Sequence, residues 1–105
     1  MKDDMNDQIG AISDFTKAIE LKPFFPDAYV NRGVAKYKNG GFDEAIVDFT
    51  KAIALKPDFA GAYLNRSAAK QVKGDWEGST VDFNKAVELN PTLKNVEKTF
   101  YIRKH

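Results

Sequence analysis

The residues that could carry chemistry are few in this chain. Its single histidine, His105, is the last of 105 residues, where a chain end frays and holds no fixed geometry. No histidine or carboxylate cluster stands at metal-ligand spacing, and the absence of cysteine rules out both a thiolate site and a disulfide framework. Asp3, Asp4 and Asp7 lie close together, but negative charge at the start of a helix is favoured by the helix dipole, which is the simpler account of them. Gly40-Gly41 lacks the preceding strand and the glycine-lysine pattern of a phosphate loop, so it reads as a turn. Phe15, Phe49, Phe83, Tyr29 and Tyr63 recur at fixed spacing and therefore read as core rather than as a base-stacking platform. No enzyme signature emerges and no cofactor is implied, which leaves binding through a surface.

Charge and hydropathy narrow the kind of surface. Sixteen Lys and Arg face fifteen Asp and Glu, a formal net charge of +1, and no single-sign block resembles a polyanion-binding arm. Nucleic acid and anionic membranes are not the expected partners. The N-terminal residues MKDDMNDQIG lack the apolar core of a signal peptide, and no stretch approaches the roughly 20 apolar residues of a membrane span. The expectation is a soluble, cytoplasmic, single-domain protein over residues 1–105 that binds another polypeptide.

The elements that position this surface follow from an internal repeat. DFTKAI at 14–19 recurs as DFTKAI at 48–53 and as DFNKAV at 82–87, a displacement of 34 residues each time. Pro23, Pro57 and Pro91 keep the same period, as do Asn31-Arg32 and Asn65-Arg66. Residues 26–59 match 60–93 at 14 of 34 positions without a gap, and 8–25 match 42–59 at 12 of 18. Self-similarity at this period signals a solenoid, whose units bury their apolar faces only by stacking. Within one period, Ala45, Ile46, Phe49, Ala52 and Ile53 form one helical stripe. Ala28, Tyr29, Arg32, Gly33 and Lys36 mark the inward side of a preceding helix, with Asn39-Gly40-Gly41 as the turn between the two. Lys56-Pro57-Asp58 ends the second helix, because proline removes a donor and biases its predecessor away from helical dihedrals. Helices of about 14 residues are marginal alone in water and must draw their stability from stacking.

The segment AYVNRGVAKYKNGGFDEAIVDFTKAIALKP resembles a tetratricopeptide repeat. The residues that carry the resemblance are Tyr29, Gly33, Gly40, Ala45, Phe49, Ala52 and Pro57, and in the next copy Tyr63, Ser67, Gly74, Ser79, Phe83, Ala86 and Pro91. Small residues at 33, 45, 67 and 79 let helices approach while the aromatics fill the space between them. The resemblance implies an all-α, tetratricopeptide-type helical-hairpin solenoid. It has a lone second-type helix at 7–21, full repeats at 26–59 and 60–93, and a terminal first-type helix at 93–104 carrying Leu93, Val96 and Phe100, six helices in all. Lys36 and Lys70 stand where the family usually has tyrosine, and this is expected to loosen or wet that layer.

In this family the first helices line a groove for extended peptides or partner helices. Carried over residue by residue, the resemblance implies a groove of Val30, Asn31, Val34, Tyr37 and Lys38, then Leu64, Asn65, Ala68, Gln71 and Val72, then Lys98 and Ile102, with Asp27, Gly61, Asn95 and Thr99 beside them. The strip of Val30, Val34, Leu64, Ala68 and Val72 is mostly apolar, and the carboxamides of Asn31 and Asn65 can both donate and accept hydrogen bonds, either to a ligand or to neighbouring backbone. NRSAAK at 65–70 is similar to co-chaperones that clamp a C-terminal carboxylate, with Asn65 matching their central asparagine. The cationic positions of that clamp hold Val30, Val34, Asn95 and Thr99, so the charge-assisted bonds a carboxylate needs are missing.

Three further expectations follow. Arg32 pairs with Asp48 and Arg66 with Asp82, since both pairs recur with the period and lie at nearly equal distances from the turn. Val30, Val34, Leu64 and Val72 are partly exposed while Phe49, Ala52, Phe83 and Ala86 are buried. The stripe of Ile12, Phe15 and Ile19 on the first helix lacks a preceding partner, so self-association is the alternative to partner binding, either head to tail against 94–105 of another copy or by twofold pairing. Tyr101 occupies a position where a small residue is wanted, which counts against the first arrangement.

Overall fold

The computed structural model describes residues 4–94, with side-chain surroundings from residue 7 onward. Among them the chain forms α1 (Asp4–Leu21), α2 (Pro26–Lys38), α3 (Phe42–Leu55), α4 (Ala60–Val72) and α5 (Trp76–Leu89), followed by a 3-10 turn at Pro91–Leu93. The all-helical hairpin architecture is the expected one, with five α-helices where the sequence suggests six. The sixth was placed at 93–104, and all of it beyond Lys94 lies outside the described residues. Its first residue, Leu93, belongs to the 3-10 turn.

Helices adjacent in sequence are adjacent in space: α1 packs on α2, α2 on α3, α3 on α4 and α4 on α5. The second-type helices α3 and α5 bury the same stripe, Ala45, Asp48, Phe49 and Ala52 in one and Ser79, Asp82, Phe83 and Ala86 in the other. One apolar cluster runs from α1 to α4, built on Ile19, Ala28, Tyr29, Val30, Phe49, Ala52, Ala62 and Ala69. Pro26 opens α2, where its missing N–H costs nothing. Both hairpin turns close on a left-handed glycine, Gly40 at φ 89° and Gly74 at φ 87°. At the first, Gly41 N–H donates to Lys36 O at 2.8 Å and Gly40 N–H to Tyr37 O at 3.0 Å, and at the second Asp75 N–H donates to Lys70 O at 2.9 Å. Carbonyls that would be orphaned at each helix end are thereby satisfied.

Close approach inside the hairpins is achieved in two ways. A Cβ added to Gly33 would sit 2.6 Å from Phe49 Cε1, so α2 rides directly on that ring. In the second hairpin Ser67 Oγ donates to Ser79 O at 2.8 Å and lies 2.9 Å from Ser79 Oγ, so two fully buried hydroxyls satisfy one another.

Each hairpin also encloses a carboxylate. Asp48 is 2% exposed and accepts from Arg32 Nε at 2.9 Å and Nη2 at 2.8 Å. Asp82, equally buried, accepts from Arg66 Nε at 2.7 Å and Nη2 at 2.8 Å. Both expected pairs are therefore present, as forked two-point contacts. The lysine layer differs from expectation: Lys36 Nζ lies 3.2 Å from Asp48 and Lys70 Nζ 3.0 Å from Asp82. A long apolar stem lets each lysine pack within the hairpin while its ammonium reaches the buried charge, so the layer is tied rather than loosened. Each arginine reaches further still, Arg32 Nη1 to Thr16 Oγ1 at 3.3 Å and Arg66 Nη1 to Thr50 Oγ1 at 3.1 Å, both on the preceding second-type helix. The hydrogen bond to Asp48 raises the pKa of Arg32 above its ordinary value against the opposing effect of burial, and Asp82 does the same for Arg66.

Candidate functional site

The first-type helices α2 and α4 carry the residues expected to line a groove. Neither needs its whole circumference for packing: α2 buries Ala28, Tyr29, Val30, Gly33 and Ala35, and α4 buries Ala62, Ser67 and Ala69. The positions between these stripes remain accessible. Asn31, Lys38 and Val72 are exposed, and Val34, Leu64, Asn65, Ala68 and Gln71 are half-buried. Asp27 is exposed and Gly61 half-buried. Lys98, Ile102, Asn95 and Thr99 lie outside the described residues.

Two of the expected groove residues are committed elsewhere. Val30, expected to be partly exposed, is only 8% exposed and belongs to the apolar cluster with Ile19 and Tyr29. Helix α2 is packed on both α1 and α3, and the side chain of Val30 is spent in that packing. Tyr37 is half-buried, its ring edge-on to Phe42 with centroids 5.2 Å apart, so it props the hairpin turn. The accessible strip narrows to Val34, Leu64, Ala68 and Val72, flanked by two asparagines. Among the described residues neither Asn31 nor Asn65 forms a side-chain hydrogen bond, so their carboxamides are not consumed by the hairpins.

The sequence reading passed over one apolar feature. Leu21, Phe24 and Phe25 are 83%, 80% and 45% exposed, and with Lys22 and Pro23 they surround an open depression of about 480 Å³ at the first inter-repeat turn. The available signal was a departure from the repeat, since Phe24 stands where the later copies have Asp58 and Thr92. Among the described residues no group of three or more His, Cys, Asp or Glu could hold a metal ion, and no helix is long and apolar enough to cross a membrane.

The family model for the tetratricopeptide repeat matches residues 26–59, the hairpin α2–α3 and its flanking turns. Solved tetratricopeptide domains superpose on nearly the whole chain. Residues 26–59 are a tetratricopeptide repeat, and the fold is that of tetratricopeptide domains. The chain is 26% identical to the first such domain of Spaghetti (RPAP3) bound to the HSP90 peptide SRMEEVD, covering 90% of this chain and 78% of that one with a TM-score of 0.84. It is 29% identical to the tetratricopeptide domain of Arabidopsis OM64, covering 91% and 82% with a TM-score of 0.83. A third neighbour is the TPR2B domain of yeast Sti1 in complex with pHsp70, at 26% identity, covering 94% and 79% with a TM-score of 0.80. No curated protein sequence matches the chain. Of Val30 and Val34, which the resemblance set at cationic positions of a carboxylate clamp, Val30 is buried and Val34 half-buried.

Proposed function

We propose that this tetratricopeptide protein is a protein-binding module. It would receive a peptide or helix of a partner along the strip of Val34, Leu64, Ala68 and Val72, with Asn31 and Asn65 fixing the ligand's backbone. The observation that carries the reading is the pair of uncommitted carboxamides beside half-exposed apolar side chains on consecutive first-type helices. Apolar contact supplies affinity, while hydrogen bonds from fixed asparagines set orientation without demanding a charged ligand. One structural neighbour is bound to an HSP90 peptide and another is in complex with pHsp70, which supports a polypeptide as the ligand class. The missing cations argue for recognition within a ligand's length rather than at its terminal carboxylate.

Peptides selected against the chain from a random library test this. Leu64→Glu together with Asn65→Ala should weaken the selected peptides about tenfold or more while leaving the melting temperature nearly unchanged. Amidating a ligand's C-terminus should change its affinity little. Selected peptides that ignore the double substitution, or that need a free terminal carboxylate, overturn the reading. The alternative, a unit that assembles with copies of itself through its ends, has weaker support, because, of the tyrosine, arginine, small residue and lysine that α2 and α4 set against α3 and α5, only the lysine recurs one period later, as Lys104, while Glu97, Phe100 and Tyr101 stand at the other places.

A further inference from the structure

The first inter-repeat turn breaks the repeat at a place that faces solvent. Phe24 falls one period before Asp58 and two before Thr92. All three are exposed, including the two that follow the complete hairpins α2–α3 and α4–α5. This position therefore faces water wherever it occurs along the stack, and the exposure of Phe24 owes nothing to what precedes α1. The later copies place a polar side chain there. The first places a phenyl ring that is 80% exposed, with Phe25 beside it, also exposed. Adjacent exposed aromatics of this kind mark a contact surface.

The turn is held firmly from below. Phe25 N–H donates to Lys22 O at 3.2 Å, which sets Pro23 and Phe24 at the two corners of a β-turn. Pro23 and Pro26 fix the backbone on either side of the phenylalanines, and Tyr29 O–H donates to Pro23 O at 3.0 Å. Lys22 leads into the turn from α1 and Asp27 leads out of it into α2. Both are exposed, and among the described residues neither has an ion-pair partner.

We infer that this turn is a contact between two copies of the chain, laid antiparallel about a twofold axis. Residues 22–27 read Lys-Pro-Phe-Phe-Pro-Asp, an order that complements itself when reversed. Lys22 of one copy then meets Asp27 of the other, proline meets proline, and Phe24 meets Phe25. Two pairs of opposite charge flank four phenyl rings, which is the self-complementarity that a twofold contact requires. A lipid surface fits less well, because rings set between charges of opposite sign offer anionic headgroups no net attraction. The contact spans one turn of each copy, well short of the roughly 1,200 Å² that a stable interface buries, so the pairing is weak and belongs to high local concentration. It does not use the strip of Val34 and Leu64, so it stands or falls apart from the proposed peptide site.

Sedimentation equilibrium of the 105-residue chain between about 10 μM and about 1 mM should show the average mass rising from monomer towards dimer. Phe24→Asp gives the first turn the residue that the second already carries. Its melting temperature should therefore hold, while its self-association weakens about tenfold or more. Lys22→Glu alone or Asp27→Lys alone should weaken pairing about threefold or more, and the two together should restore it, since the charges then meet again in exchanged places. The inference is overturned if the native chain stays monomeric throughout, if Phe24→Asp pairs as the native chain does, or if the double reversal pairs no better than the single ones. Flotation of a monomeric chain with phosphatidylcholine vesicles, lost in Phe24→Asp, would assign the rings to a lipid surface and overturn it as well.

Discussion

Asp14, Asp48 and Asp82 show how much a residue's role depends on what lies over it. All three occupy one position of the repeat, yet only the last two are buried between cations. Removing the carboxylate from a buried pair leaves charges without compensation, so Asp48→Ala should cost about 3 kcal/mol, whereas Asp14→Ala should leave the thermal midpoint nearly where it is. Thermal unfolding of the two variants side by side checks this, and similar losses would mean that burial of Asp48 does not set its contribution. The arginine partners were legible in the sequence because both members recur with the period. Their energetic weight was not, since it depends on the 2% exposure of the carboxylate. Lys36 and Lys70 were misread for a related reason: a lysine in place of tyrosine looks like loosened packing until the buried acceptor within its reach is seen. Val30 was misplaced because its exposure is decided by the helices on either side of α2.

At the scale of the elements, the hairpin turn carries the sharpest constraint. Gly40 has a left-handed backbone that a side chain disfavours by roughly 1–2 kcal/mol, and Gly40→Ala should lose about that much stability. Gly41 has no such φ, and a Cβ there would press only on the end of the flexible Glu44 side chain, 2.7 Å away, with Lys36 O at an ordinary contact distance of 3.5 Å. Gly41→Ala should therefore fall within about 0.5 kcal/mol of the native chain. Denaturant midpoints of the two variants separate the cases, and equal losses would point to a cause other than φ. The turn itself was plain in Asn39-Gly40-Gly41, and Pro23, Pro57 and Pro91 placed the helix ends to within a few residues. Which glycine adopts the left-handed conformation was not plain, because that depends on which carbonyls the turn has to satisfy.

For the whole molecule, the division between the core and the proposed binding strip predicts different consequences for two apolar truncations. Phe49→Ala should cost about 3–5 kcal/mol, since the ring is 1% exposed and fills the space above Gly33. Leu64→Ala should affect ligand affinity more than folding, and melting temperatures measured beside ligand titrations would show the contrast. Architecture was legible because a period of 34 residues admits few folds. Arg32 and Arg66 add a property of the stack as a whole, because each grips the carboxylate of its own hairpin and the threonine of the helix before it. Such a rivet resists the sliding and twisting of one unit against the next. The curvature of the array is then set before any ligand arrives, and little of the binding energy goes into bending the receptor.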